Sequence, residues 1–437
     1  MTKSQRAKRR HLSVCCVDGN LKSEIIMSNT YLQDRRLFLK GAAAATLTPW
    51  LAAGLEAQEE LGEKFYIQPY LQNPTADGMT ICFAALDAAD VHVRWGNSKD
   101  ALHESAPMNS SAMTKVTWLV WKARLANLKV GQTYYYRVDY RENGAQRSSE
   151  VYSFTPFDPQ AEEVRSVIYN DVHDKIDTAT ELVKWVKPED FTFSILLGDM
   201  WNDPSLASNA RRAFLNLEAY VRLFDGSNKP MMFVRGNHDV RGWFSSRLSH
   251  LLDFPLNDPT AEFAEQNAYY DFRVGPMWFI APDSGEDGSK QMALYQPYRE
   301  RQAKWLAELF GDSPHREAPW RVLTTHIPLY YKGYWDAPHS RALWEATLKE
   351  NKIDVSISGH IHSWGVIPKD QEIVYVDQKG KPEEQTIRHT PPFPTFIGGG
   401  PGLGEATVTF LRGNARELQL RALDTQGREV LQLALNK

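Results

Sequence analysis

An α/β (α+β) fold, a sandwich of two mixed sheets flanked by helices and preceded by an all-β sandwich, is what this 437-residue chain predicts, on three observations. From Val164 onward, short apolar runs alternate with longer helix-like segments, the pattern of a largely parallel sheet covered on both faces. Between residues 63 and 157 the runs are shorter, alternate in polarity and are punctuated by turn signals, as antiparallel strands require. After residue 400 strand-like runs return with no helix between them, which adds antiparallel strands and makes the sheets mixed.

The first element is a leader. Residues 34–57, DRRLFLKGAAAATLTPWLAAGLEA, place Arg35 and Arg36 ahead of a mildly apolar, alanine-rich stretch. This is the pattern of a bacterial twin-arginine export signal, with cleavage expected near Ala57. A membrane anchor needs about 20 apolar residues, whereas the stretch 41–55 is shorter and interrupted by Thr and Pro. The expectation is export by the twin-arginine machinery to a periplasmic or secreted location, with no stable membrane anchor. Residues 1–26 are basic and patternless, and Met27 opens a conventional short leader, so translation is expected to start there. Cleavage removes Cys15 and Cys16 and leaves Cys82 alone, so no intrachain disulfide forms and the core must supply stability.

Of the chain's 50 Lys+Arg and 54 Asp+Glu, 9 and 4 lie within residues 1–57, so the remaining 380 residues carry a net charge of −9. That balance gives no electrostatic footprint for nucleic acid or an anionic membrane. The length suffices for two or three domains.

In the region 63–157, alternating runs fall at 79–84, 91–95, 116–128 and 133–140. Asn143-Gly144 is the strongest hairpin signal, because both residues tolerate positive φ. About seven strands in so short a span make a β-sandwich. Its expected role is that of a structural spacer, with direct substrate binding as the alternative, and a linker at 157–161, FDPQA, joins it onward.

From 164 to 437 five apolar runs, at 164–169, 193–197, 231–234, 322–325 and 353–358, each end in a polar motif. In order these are Asp171-Val172-His173, Gly198-Asp199, Gly236-Asn237-His238-Asp239, Thr325-His326-Ile327-Pro328 and Gly359-His360-Ile361-His362. Helix-like segments at 205–224, 297–310 and 340–350 lie between them. Parallel sheets present ligands at the carboxyl ends of their strands, so the five motifs are expected to converge. They supply two aspartates, an asparagine and four histidines suited to metal binding, with His238 left over. Carboxylate and amide oxygens with neutral imidazoles suit two adjacent divalent or trivalent ions that share one bridging ligand. Each motif alone is weak, and the ordered set carries the weight. His11, His92, His103, His250, His315, His339 and His389 stand outside it and read as surface or hydrogen-bonded residues.

This series resembles the calcineurin-like metallophosphoesterase superfamily over about residues 164–400. The resemblance implies that Asp171, His173 and His362 hold one metal, that Asp199 bridges, and that Asn237, His326 and His360 complete the second. It implies hydrolysis of small-molecule phosphate mono- or diesters by a hydroxide shared between ions about 3.5–4 Å apart. His238 would protonate the leaving oxygen, oriented by Asp171 or Asp239, and Asp199 would be catalytic through its bridge.

The phrases PYLQNPTADGMTICF and ARLANLKVGQTYYYRV resemble the fibronectin type III-like domain that precedes the catalytic domain of purple acid phosphatases. That family differs in carrying a tyrosine three positions after the bridging aspartate and no histidine in its first motif. Here those places hold Asn202 and His173. Without a tyrosinate there is no purple colour and less reason for an obligatory ferric ion, and manganese, iron and zinc all fit. A serine/threonine protein phosphatase is disfavoured because GDMWNDP at 198–204 lacks the arginine such enzymes carry.

Asn202, Tyr334 and Trp335 are candidate substrate-binding residues. Leu329-Tyr330-Tyr331-Lys332-Gly333-Tyr334-Trp335, with Trp201, Trp243, Phe244 and Trp364, concentrates aromatics near the metal motifs. They form either a stacking wall for an aromatic leaving group or ordinary loop packing. The glycines at 398–402 read as a structural turn. Runs at 407–411, 417–422 and 429–433, with a turn at 424–427, are expected to finish the second sheet. The rival to a hydrolase is a noncatalytic secreted binding protein with a structural metal site, against which an unligated His238 argues.

Overall fold

The computed structural model describes residues 66–110, 119–204, 207–241, 248–255, 268–286, 292–332, 337–377 and 385–437. All of these described residues belong to one compact unit. The twin-arginine motif, Met27, Tyr334, Trp335, Trp243 and Phe244 lie outside the described residues.

The first strands are β1 (Tyr66–Gln72), β2 (Met79–Ala85), β3 (Ala88–Gly96), β4 (Glu104–Pro107), β5 (Asn109–Ser110), β6 (Val120–Leu125), β7 (Tyr134–Glu142), β8 (Ala145–Ser148) and β9 (Tyr152–Phe154). They make two antiparallel sheets, β1-β2-β6-β5 and β4-β3-β7-β8, with β9 paired to β7. Alternation decides the faces: Val91 and Val93 are buried while His92 and Arg94 are exposed. The inward residues of both sheets, among them Phe83, Val93, Tyr136 and Phe154, share one core. Asn143 and Gly144 connect β7 to β8 with φ of 50° and 78°, as a two-residue hairpin of this sequence requires.

The second part runs β10 (Glu163–Tyr169), α1 (Ile176–Val183), β11 (Phe193–Leu197), α2 (Ala207–Leu223), β12 (Met231–Val234), α3 (Leu248–Leu251), β13 (Tyr270–Val274), β14 (Met277–Ala281), α4 (Met292–Asp312), β15 (Trp320–Thr324), α5 (Pro338–Glu350), β16 (Val355–Ser358), β17 (Gly365–Ile367), β18 (Ile373–Asp377), β19 (Gln385–His389), β20 (Thr395–Ile397), β21 (Thr407–Asn414), β22 (Glu417–Asp424) and β23 (Glu429–Asn436). Two six-stranded mixed sheets result, β12-β11-β10-β21-β22-β23 and β13-β14-β15-β16-β20-β17. Strands β10, β11 and β12 are parallel in the first, and β14, β15, β16 and β20 in the second. Strands β11, β12 and β14, apolar apart from Ser194, are buried along their whole length, as strands covered on both faces must be. Val167 and Ile195 of the first sheet meet Phe279, Val322 and Ile357 of the second in a single core. Leu306 of α4 and Trp344 and Leu348 of α5 cover the second sheet's other face. Among the described residues, no helix is long and apolar enough to cross a membrane.

Two expectations change. The C-terminal strands complete the first sheet, because β21 pairs antiparallel with β10 from Glu163–Asn414 to Ile168–Thr409. The segment 157–161 is more than a connector, since Phe157 is buried against Phe193 and Phe272 with centroid distances of 5.1 and 5.8 Å. Ile67, Tyr70, Cys82, Ala84 and Val120 of the β-sandwich also join the α/β core. Polar contacts reinforce them: Gln72 Nε2 donates to Met231 O at 2.8 Å and Tyr136 OH to Ser227 O at 2.7 Å. Phe157→Ala is therefore expected to lower stability by about 3–5 kcal/mol, read as a fall in the urea unfolding midpoint. A surface-like change below about 0.5 kcal/mol would contradict this anchoring.

Candidate metal centre

Each motif sits just beyond the carboxyl end of a parallel strand. Asp171 follows β10, Asp199 follows β11, Asn237 and His238 follow β12, His326 follows β15, and His360 and His362 follow β16. Backbone bonds tie the loops together: Asp171 N donates to Gly198 O at 3.0 Å, His173 N to Asp199 O at 2.8 Å, and Gly359 N to His326 O at 3.0 Å. Five of these residues take left-handed backbone, with φ of 51° at Asp171, 47° at His173, 51° at Asp199, 71° at His360 and 57° at His362. Each such residue costs about 1–2 kcal/mol, and strain of this kind concentrates where function requires it.

Gly198 shows why the second motif needs glycine. Its φ is 76°, and a Cβ there would lie 2.3 Å from His326 Nδ1. That nitrogen donates to Leu197 O at 2.9 Å, which turns Nε2 of His326 toward Asp199. Gly198→Ala is expected to cost at least about 1–2 kcal/mol from φ alone and to displace His326. Metal analysis should show loss of one ion per chain, and full retention would refute the packing argument.

The side chains form two groups with potential ligand atoms mutually within 4.8 Å: Asp171, His173, Asp199 and His362, and Asp199, His326 and His360. Asp199 belongs to both. In the first group His173 Nε2 lies 3.0 Å from His362 Nε2 and 3.4 Å from Asp199 Oδ2. In the second, His326 Nε2 lies 3.1 Å from Asp199 Oδ2, and His360 Nδ1 lies 2.9 Å from Asn237 Oδ1.

The fit to cations rests on Asp199 Oδ2 and His326 Nε2, which are both buried and make no hydrogen bond despite their closeness. Burying such atoms without a partner is costly, and a positive ion between them removes that cost. Without one, protons substitute. Burial opposes charge on His173 and His326, yet Asp171 and Asp199 push them up to about 10 and about 9. Burial likewise opposes ionisation of Asp171 and Asp199, but His326 and His173 hold both carboxyls well below the usual range. Burial and then the charge of His326 push His360 down to about 4. This oxygen and nitrogen donor set suits manganese, iron or zinc.

Residues 164–364 match the family described as calcineurin-like phosphoesterase, and residues 66–156 match the purple acid phosphatase N-terminal domain. The chain carries a calcineurin-like metallophosphoesterase domain. Purple acid phosphatase 22 of Arabidopsis thaliana is 25% identical over 253 residues, covering 55% of this chain and 52% of that protein. Phosphoenolpyruvate phosphatase of Allium cepa is 21% identical over 329 residues, 72% and 65% of the two chains. Fe(3+)-Zn(2+) purple acid phosphatase 12 of Arabidopsis thaliana is 27% identical over 192 residues, 41% and 38%. The chain thus spans about half the length of the first of these relatives.

In this metallophosphoesterase domain Asp199, Asn237, His360 and His362 line a cleft of about 540 Å³ together with His238, Arg241, Tyr331 and Ser363. His238 is oriented by a residue the sequence reading did not single out. Its Nδ1 donates to Asp203 Oδ1 at 2.8 Å, whereas Asp171 and Asp239 are engaged elsewhere. Asp171 accepts from Asn170 Nδ2 at 2.6 Å and from His360 N at 2.8 Å. Asp239 accepts the backbone N–H groups of Asp199, Gly236 and Trp201 at 2.8, 2.9 and 3.1 Å, clamping two motif loops together.

Arg241, also not singled out, lies with Nη1 3.1 Å from His238 Nε2 and is held by Glu286 at 2.7 and 2.8 Å. Burial, then the nearby His173 and Arg241 charges, lower the pKa of His238 against the pull of Asp199.

Asn202 is not among the described residues lining the cleft. Its Oδ1 lies 3.4 Å from His173 Nδ1, so it stands behind a ligand candidate. Trp201 is buried, donates Nε1 to Ala213 O at 3.1 Å and packs on Tyr220 and Phe233. It and buried Tyr330 are ordinary packing, whereas Tyr331 reaches the cleft. The glycines at 398–402 do bring backbone to the site. A Cβ at Gly398 would lie 2.1 Å from Asn170 Oδ1, so this segment presses on the residue that holds Asp171.

Proposed function

We propose that the protein hydrolyses phosphate mono- or diesters at this cleft, exported as a metal-loaded enzyme. The observation that carries the reading is Asp199, shared between two ligand groups and next to a histidine that belongs to neither. Asp171, His173, Asp199 and His362 would hold one ion, and Asp199, Asn237, His326 and His360 the other. Manganese, iron or zinc held there supplies charge neutralisation for phosphate oxygens and lowers the pKa of water to near 7.

The protein's own residues do the rest. Asp203 fixes the Nδ1 proton of His238, which leaves Nε2 to exchange a proton with the leaving oxygen. Arg241, tethered by Glu286, is placed to bind a phosphate oxygen. Taking that oxygen would release Nε2 of His238 from its contact with Arg241. Asn202 holds the His173 ring, a support that metal-ligating histidines usually need.

Export rests on Arg35 and Arg36. Replacing both with lysine should leave the protein in the cytoplasmic fraction, and unchanged localisation would remove that part of the proposal.

The function is tested with p-nitrophenyl phosphate and bis-p-nitrophenyl phosphate, from pH 5 to 9, on protein loaded with manganese, iron or zinc. Turnover of either ester is expected, and the ratio of rates ranks monoester against diester. Two bound ions with no turnover of either would favour the binding-protein reading.

A further inference from the structure

We infer that the metal cleft continues into a second subsite that takes a flat, apolar substituent on the phosphate, of aryl or nucleoside size. This rests on the phosphoesterase reading above and names the substrate class that reading leaves open.

Beside the metal cleft lies another of about 360 Å³, and both are lined by Tyr331 and Ser363. Their linings differ in kind. The first carries Asp199, His238, Arg241, His360 and His362. The second carries Trp364, Val366, Ile367, Ile373 and Val374, with Lys332 and Glu372 as charged residues. Two of its apolar walls stand open to water, Trp364 at 41% and Val374 at 46% exposure. Large apolar surface left exposed beside a polar site commonly marks ligand contact.

The covalent chain sets the distance. Trp364 is two residues beyond His362, and two residues span at most about 7 Å. A phosphate held by the His362 group therefore has its substituent within reach of the Trp364 ring.

The walls are built on paired strands. β17, which begins one residue after Trp364, pairs antiparallel with β20 of the second sheet. Trp364 Cδ1 lies where a Cβ on Gly399 would come within 3.1 Å, so the ring is backed by the same glycine segment that presses on Asn170. β18, paired with β19, supplies Ile373 and Val374. An indole ring with aliphatic neighbours and a few polar groups suits the face of an aromatic ring, which stacks favourably on tryptophan. It offers little to a short, fully hydrated alcohol.

The test is calorimetric binding of benzylphosphonate and methylphosphonate, neither of which has an ester bond to cleave, to the metal-loaded protein. Benzylphosphonate should bind roughly tenfold more tightly, on the scale of one buried ring. Trp364→Ala should cut that ratio about threefold to tenfold. Val374→Asn, on a half-exposed strand residue where folding is safe, should cut it in the same direction. Equal affinities in the parent protein, or a ratio untouched by both substitutions, would overturn the subsite alone. Binding of neither phosphonate by protein holding two ions would overturn the phosphoesterase reading and the subsite with it.

Discussion

Asp199→Ala is expected to lower kcat/KM for p-nitrophenyl phosphate by at least about 10³-fold, the upper end for removal of one electrostatic contributor, and to deplete both ions. The size of the effect follows from sharing. Asp199 is the one residue common to the two ligand groups, so its loss opens both at once. The carboxylate also organises the loops. Oδ1 accepts from His238 N at 2.8 Å, and Oδ2 faces His173 and His326 at 3.4 and 3.1 Å. Asp199→Asn keeps the volume while removing the charge, and it separates electrostatics from a packing defect. A variant that keeps two ions per chain and a tenth of the parent rate would show that Asp199 does not bridge.

His238→Asn is expected to lower kcat by about 10²–10⁴-fold, the usual share of a positioned acid, with both ions retained. The loss should grow as the leaving group becomes more basic, because p-nitrophenolate departs with little help whereas phenolate needs a proton. Phenyl phosphate should therefore lose more than p-nitrophenyl phosphate. Asp203→Asn leaves the ring in place but takes away the carboxylate that fixes Nδ1–H. It should cost about 10–100-fold with the same dependence on leaving group. An equal loss for both esters in His238→Asn would assign His238 to substrate binding and remove its acid role.

The ligand candidates were legible because each terminates a strand whose apolar run announces itself. Burial along β11 and β12 and the parallel pairing of β10 to β12 follow from residue type, and topology then gathers the strand ends. The supporting residues were not legible in the same way. Asp203 lies four positions after Asp199 in a segment that reads as a turn, and only its contact with His238 from the next strand's loop reveals it. Arg241 and Glu286 are 45 residues apart, and no local pattern pairs them.

The C-terminal runs read correctly as strands, but β21 adds to β10 across a sequence gap that periodicity cannot bridge. The glycines at 398–402 looked like a turn because their reason lies elsewhere, in the side chain of Asn170. Asn202 occupies the family's tyrosine position and was read as facing substrate. Its Oδ1 lies 3.4 Å from His173 Nδ1, and it is not among the described residues lining the cleft.

The central claim is that two ions, joined through Asp199, are required for ester hydrolysis. It is tested by titrating metal-free protein with manganese or zinc while following p-nitrophenyl phosphate turnover and bound metal together. The account predicts two ions per chain at saturation, with turnover rising only as the second is taken up. Full activity with a single ion, or two ions bound with no turnover of any phosphate ester, would contradict it.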